Sequence, residues 1–168
     1  ISLIVNTVLT HPTLRSESFQ KLIKLCHDKG ILLCCIFARP RGRWMGNTDV
    51  LLTPEDIKYY DNVIRKKWPH ILRGDTQSSY TGCACLGLKE FIYISPYGDV
   101  FPCPLTHIKF GNVFEDSIEA IRKRGLSLKW YDHYHHICLS TQDVEFKKKY
   151  FNELSKHGVV EWTAMQDN

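Results

Sequence analysis

Three of the seven cysteines in this sequence are placed to do chemistry together. Cys85 is followed after twelve residues by Gly98, and Gly98 after four by Cys103. Between the two thiols, Phe91-Ile92-Tyr93-Ile94-Ser95 and Val100-Phe101-Pro102-Cys103 flank the turn Pro96-Tyr97-Gly98-Asp99. Pro96 presets φ at the first corner, and Gly98 can take the positive φ that a bulged hairpin loop needs. The spacing predicts a hairpin with a thiol at each root, so that two thiols can converge on one metal site. Cys138 follows a histidine-rich loop with His133, His135 and His136, just ahead of a helix-like run, from which a third ligand can swing onto the same site. Thiolates hold zinc as well as iron–sulfur clusters, and spacing alone does not separate the two. Cys83 is either a fourth ligand or a neighbour of Cys85 that points elsewhere. The competing reading is that these thiols are unligated small hydrophobes. For Cys26, Cys34 and Cys35, on the apolar face of a helix or inside an apolar strand, that is the expected one.

The run from Cys85 to Asn112, including Gly98-Asp99-Val100-Phe101-Pro102-Cys103-Pro104 and the later Gly111-Asn112-Val113, resembles a known family. It is similar to the auxiliary-cluster domain called SPASM, or twitch in its shorter form, which follows the catalytic barrel in many radical S-adenosylmethionine enzymes. The resemblance spans roughly residues 80 to 155, and Cys138 stands where that domain's later cluster ligand falls. Residues 1 to 70 resemble the last two strand-and-helix units of the barrel. The Cys-x3-Cys-x2-Cys triplet that holds the catalytic cluster in the superfamily is nowhere in these residues.

The resemblance implies an α/β fold: C-terminal βα units of a partial (β/α) barrel over residues 1–73, a small α+β SPASM or twitch domain over 80–157, and a tail over 158–168. It implies that Cys85, Cys103 and Cys138, with Cys83 as the further candidate, hold an auxiliary 4Fe-4S cluster. Without Cys83, one iron would be open to water, a histidine or substrate. In the full-length enzyme it implies S-adenosylmethionine and a second 4Fe-4S cluster, a peptide or small-molecule substrate, hydrogen abstraction by an adenosyl radical, and a reductant such as ferredoxin or flavodoxin. This chain alone is then expected to be inactive. The alternative is a non-catalytic zinc- or iron–sulfur-binding interaction module.

The elements that must position these residues follow from pattern. Ile1 to Leu9 and Ile31 to Phe37 are nearly continuous apolar runs, as in parallel strands covered by helices. Between them Ser16 announces a helix with Phe19, Leu22, Ile23 and Cys26 on one face, stopped by Gly30, which completes a βαβ crossover. Thr53-Pro54-Glu55-Asp56 opens a second helix, with a hydroxyl cap, proline in the first turn and acids facing the dipole. It runs through Ile57, Tyr60 and Ile64 and ends before Pro69. Two such strands cannot close a sheet, so the chain is expected to begin mid-protein, with more strands upstream. Gly74 to Ser79 reads as a polar linker. Beyond the hairpin, Ser117 to Arg124 predicts a short helix with Ile118 and Ile121 inward and Gly125 as terminator. Thr141 to His157 predicts a longer one with Val144, Phe151 and Leu154 among its apolar positions.

The loop after the second apolar run carries Arg39, Arg41, Arg43 and Trp44. It leaves the carboxyl end of a parallel strand, where α/β sheets place their ligands. Three arginines there can hold a carboxylate or phosphate, or simply form a solvated basic loop. Asn6 is polar within an apolar run; the family resemblance places it toward bound S-adenosylmethionine, and a satisfied core asparagine is the other reading. The formal charge of +4, with scattered basic residues, argues against a nucleic-acid partner. No apolar stretch approaches the length of a membrane span, and the cysteine usage predicts a cytoplasmic protein rather than a disulfide framework.

Overall fold

The computed structural model describes residues 3–39, 42–44, 47–74 and 84–166, the side chains of residues 43 and 155–157 apart. Of the candidates, Cys83, Arg41 and the Arg43 side chain lie outside what the structure describes. The chain divides into two compact units, Ile1–Ser78 and Ser79–Asn168.

The first unit is a three-stranded parallel sheet with helices against one face. Strand β1 (Ile4–Leu9) pairs in parallel with β2 (Leu32–Phe37), and β2 with β3 (Leu72–Gly74), in the order β1-β2-β3. The short β3 ends at the first residue of the expected linker and is not legible in the sequence; three residues carry too little periodicity. A one-turn helix α1 (His11–Leu14) follows β1, capped by Thr10. Helix α2 (Glu17–Lys29) is capped by the Ser16 hydroxyl and ends at Gly30 in the left-handed region, burying Phe19, Ile23 and Cys26 as the 3.6-residue period requires. Thr53 caps α3 (Pro54–Tyr59) through a reciprocal bond with Asp56; the helix passes through a π-turn at Tyr60–Ile64 into α4 (Arg65–Lys67).

The core lies between helices and sheet: Leu9, Leu33, Cys35, Phe37 and Leu72 meet Ile23, Tyr60 and Ile64. The opposite face behaves differently from expectation. Ile4 is 49% and Val8 46% exposed, Leu32 is exposed, and Cys34 is half-buried rather than a core residue. Side chains alternate along a strand, so one set faces the helices and the other set is left exposed among the described residues of this unit. Among the described residues the three strands do not form a closed barrel. No helix of the described residues is long and apolar enough to cross a membrane.

Asp56 ties this unit together. Its buried carboxylate accepts bonds from the Thr53 amide at 3.0 Å, from His11 Nδ1 at 2.6 Å and from the Arg15 guanidinium. Burial alone would raise its pKa, but the Arg15 and His11 bonds outweigh it and hold the carboxyl well below the usual carboxylate range.

The second unit packs small sheets against helices. Strand β4 (Tyr93–Ile94) pairs antiparallel with β5 (Asp99–Phe101), and β5 with β7 (Gly111–Asn112); β6 (Ile108–Lys109) pairs in parallel with β8 (Val160–Glu161). Helices α5 (Ile118–Leu126), α6 (Leu139–Gln142) and α7 (Val144–His157) complete it. The rings of Phe110, Tyr131, Phe146 and Tyr150 form an aromatic centre, with edge-to-face contacts from Phe110 to Tyr131 at 5.6 Å and from Tyr131 to Phe146 at 6.3 Å.

Three expectations are corrected here. The described part of the expected tail, residues 158–166, is structured: β8 pairs with β6, and a 3-10 turn at Trp162–Met165 buries Met165, whose carbonyl accepts from the Trp130 indole. Gly125 does not stop α5, which runs on to Leu126 because Gly125 is packed against Leu88, and Ile118 is 44% exposed instead of inward. The run from Thr141 is not one helix: Asp143 breaks it, accepting from the Phe146 amide at 2.7 Å as the cap of α7, and Val144, at the first position after that cap, is exposed.

Candidate metal centre

The hairpin forms about its predicted turn. Gly98 has φ +82°, its amide bonds the Ser95 carbonyl at 3.0 Å, and the Ser95 amide bonds the Asp99 carbonyl at 2.9 Å. That positive φ is the bulge-loop position only glycine adopts without strain. Cys85 and Cys103, however, are not bridge partners of each other. Cys103 forms an isolated bridge with Thr106, and its thiol donates to Thr106 Oγ1 at 3.4 Å. Cys85 forms an isolated antiparallel bridge with His135; the Ala84 and Cys85 amides both donate to the His135 carbonyl, at 2.9 and 3.2 Å.

What brings the two segments close is Gly87. A Cβ built on it would stand 2.7 Å from the Pro102 carbonyl oxygen and 3.0 Å from Pro102 Cβ. Only a residue without a side chain lets the strand after Cys85 lie this close to the backbone just before Cys103. Cys138 enters from a third segment as the N-cap of α6; its amide donates to Gln142 Oε1 at 2.8 Å and its sulfur lies 3.4 Å from Ser140 Oγ.

Electrostatics show that the three thiols share one neighbourhood. Burial, with negative charge on Cys138 and Cys103 adding to it, pushes the Cys85 thiol up to about 11. Cys103 is raised by burial too, against the Thr106 hydrogen bond, with Cys138 again adding to the rise. The fully buried Tyr131 hydroxyl is raised by burial and then by Cys85, Cys103 and Cys138 together. All three sulfurs therefore lie within electrostatic range of one another and of one buried phenol. Lys89 is the neighbouring cation: its ammonium donates to the Tyr131 carbonyl at 3.2 Å and favours the Cys85 thiolate.

Among the described residues no three His, Cys, Asp or Glu side chains close on a single point as the ligands of one ion. A polynuclear cluster takes one thiolate per iron, so its cysteines need to surround a common volume rather than a common atom. Three coupled, half-buried thiols from three segments fit that demand.

The other candidates sit in the first unit. Asn6 is exposed on the sheet face turned away from the helices, in register with Cys34. Arg39 is half-buried just past β2 and donates to the Phe37 carbonyl at 3.1 Å. Sequence reasoning missed Tyr131, which carries no metal-ligand chemistry of its own, and named no particular histidine for the iron left open without Cys83.

No curated protein matches the chain. Residues 83–143, the segment that contains Cys85, Cys103, Cys138 and Tyr131, match the family model of SPASM, an iron-sulfur cluster-binding domain found in radical S-adenosylmethionine enzymes.

Proposed function

We propose that the second unit holds an auxiliary 4Fe-4S cluster on Cys85, Cys103 and Cys138, in the service of a radical S-adenosylmethionine enzyme acting on a peptide or small molecule. The observation that carries this is that three half-buried cysteines from three segments lie about the buried Tyr131, inside the segment that matches an iron–sulfur domain. When bound, the cluster would supply electron transfer or a substrate anchor. This chain's residues would hold it, keep water from it with the Tyr131 and Phe146 aromatic wall, and offset its charge with Lys89.

Residues 1–73 would then be the closing βα units of a partial barrel, with Asn6 on the inner face toward S-adenosylmethionine and Arg39, Arg41 and Arg43 at the ligand-bearing end. A one-electron donor of the ferredoxin or flavodoxin kind would reduce a second cluster. That cluster would need a Cys-x3-Cys-x2-Cys triplet, which is not among these residues.

The test is iron and acid-labile sulfide in anaerobically reconstituted protein. Because ligation and folding of a thiolate site are coupled, Cys85→Ala, Cys103→Ala and Cys138→Ala should each lose most of the iron, and Cys34→Ala should lose none. Equal iron in all four variants, or zinc with no sulfide in the wild type, would overturn the proposal.

A further inference from the structure

We infer that His135 is the fourth protein ligand of this cluster, binding one iron through Nε2 where a fourth cysteine would otherwise stand. The inference rests on the cluster reading above and adds to it a nitrogen donor.

Its placement comes first. His135 is paired with Cys85 in an antiparallel bridge. Directly opposed residues send their side chains off the same face, with Cβ atoms roughly 4.5–5.5 Å apart. The imidazole therefore leaves the backbone on the same side as one of the proposed thiolate ligands. It also stands three residues before Cys138, on the loop that delivers that thiol.

Its bonding comes second. Nε2 of His135 is buried without a hydrogen-bond partner, the one side-chain atom in that condition among the described residues of the second unit. Buried polar atoms are nearly always paired, and an orphan calls for an explanation such as an absent ion. The Trp130 backbone stands beside the same ring, the kind of neighbour that orients a ligating imidazole.

The neighbouring histidines lack this arrangement. His133 gives its Nδ1 to Asp132 and is exposed, and His136 is exposed as well. The His133 ring lies 4.0 Å from that of His135 and packs against it. A neutral nitrogen donor leaves the cluster less negative than a fourth thiolate would, and substituting histidine for cysteine raises cluster potential.

The experiment uses the whole chain carrying ¹⁵N-labelled histidine, reconstituted anaerobically with iron and sulfide, reduced with dithionite and examined by pulsed electron paramagnetic resonance. The expected result is a strongly coupled nitrogen that vanishes in His135→Gln and persists in His133→Gln and His136→Gln. His135→Cys should keep its iron, lose the nitrogen coupling and lower the midpoint potential. A wild-type cluster with no strongly coupled nitrogen, or coupling that survives in His135→Gln, would overturn the inference while leaving the cluster itself in place. Wild-type protein that takes up no iron and sulfide would overturn the cluster reading, and the inference with it. Should His135→Gln fail to fold, the labelled wild type and His135→Cys still decide the question.

Discussion

Gly87→Ala should separate Cys85 from Cys103 without touching either sulfur. Gly87 is not at positive φ, so alanine meets no backbone penalty of its own, and the whole effect is steric. The new methyl would stand 2.7 Å from the Pro102 carbonyl oxygen, with Pro102 Cβ at 3.0 Å and its carbonyl carbon at 3.2 Å. Ordinary contacts of this kind begin near 3.4 Å, so one backbone must retreat by about 0.7 Å from the other. Neither segment yields easily: Leu88 is buried on one side, and Phe101 is buried at the end of β5 on the other. Overpacking of this kind costs about 1–3 kcal/mol. In a cooperative unit of about 90 residues that corresponds to a fall of roughly 4–24 °C in Tm. The assay is thermal unfolding of the metal-free chain followed by circular dichroism, with iron per protein after anaerobic reconstitution measured in parallel. Lower Tm together with reduced iron is expected, since the displacement opens the gap between two ligand-bearing segments. A Tm within about 1 °C of wild type and full iron would refute the close-approach argument.

Asp56→Asn addresses the first unit. The Asp56 carboxyl is held below its unfolded value of about 4, so its contribution is present above that value and lost as pH falls through the lower folded one. Wild type should lose stability below about pH 4, and the variant should be weaker at pH 7 with a shallower acid limb; parallel pH curves would contradict this. Asp143→Ala removes the cap of α7 and should cost about 1 kcal/mol, seen as a drop of roughly 4–8 °C in the unfolding of the second unit; an unchanged midpoint would show that α5 to α7 packing alone sets the helix start. Arg39→Ala tests the ligand-end loop in the full enzyme: about tenfold weaker substrate or cofactor binding is expected if the guanidinium engages a carboxylate or phosphate, with auxiliary iron unchanged, and a loss under about twofold would mark it as solvated.

What the sequence made legible was local. Ser16, Thr53 and the Pro96-to-Asp99 turn announce themselves because a cap or turn is satisfied within three or four residues, and the structure shows each with its hydrogen bond. What it hid was non-local. The strand at Val160–Glu161 exists only because Ile108–Lys109 offers it a parallel partner, and nothing in two residues signals that. Ile118 and Val144 fit an apolar helical period, yet each is the first residue after its cap, where the side chain hangs outside the packed face. The hairpin was foreseen and the pairing of its cysteines was not, because Cys85 takes its partner from residue 135.

That non-local pairing bears on how such a site can work. Each proposed cysteine ligand is fixed through its backbone or a cap. The Cys85 amide is held by the His135 carbonyl, Cys103 by its bridge to Thr106, and the Cys138 amide by Gln142. The side-chain contacts of the sulfurs are long, 3.4 Å from Cys103 to Thr106 and from Cys138 to Ser140, while backbone amides favour the thiolates, that of Gly87 at Cys85 and those of Leu105 and Thr106 at Cys103. The fold thus positions the ligand-bearing backbone with hydrogen bonds and turns amides, which suit a thiolate, toward two of the sulfurs. A site preorganised in this way takes up a cluster with its ligand-bearing segments already in place. The same logic extends to the imidazole of His135, whose carbonyl anchors Cys85 while its ring nitrogen stays buried and unpartnered, so that one residue both builds the site and completes it.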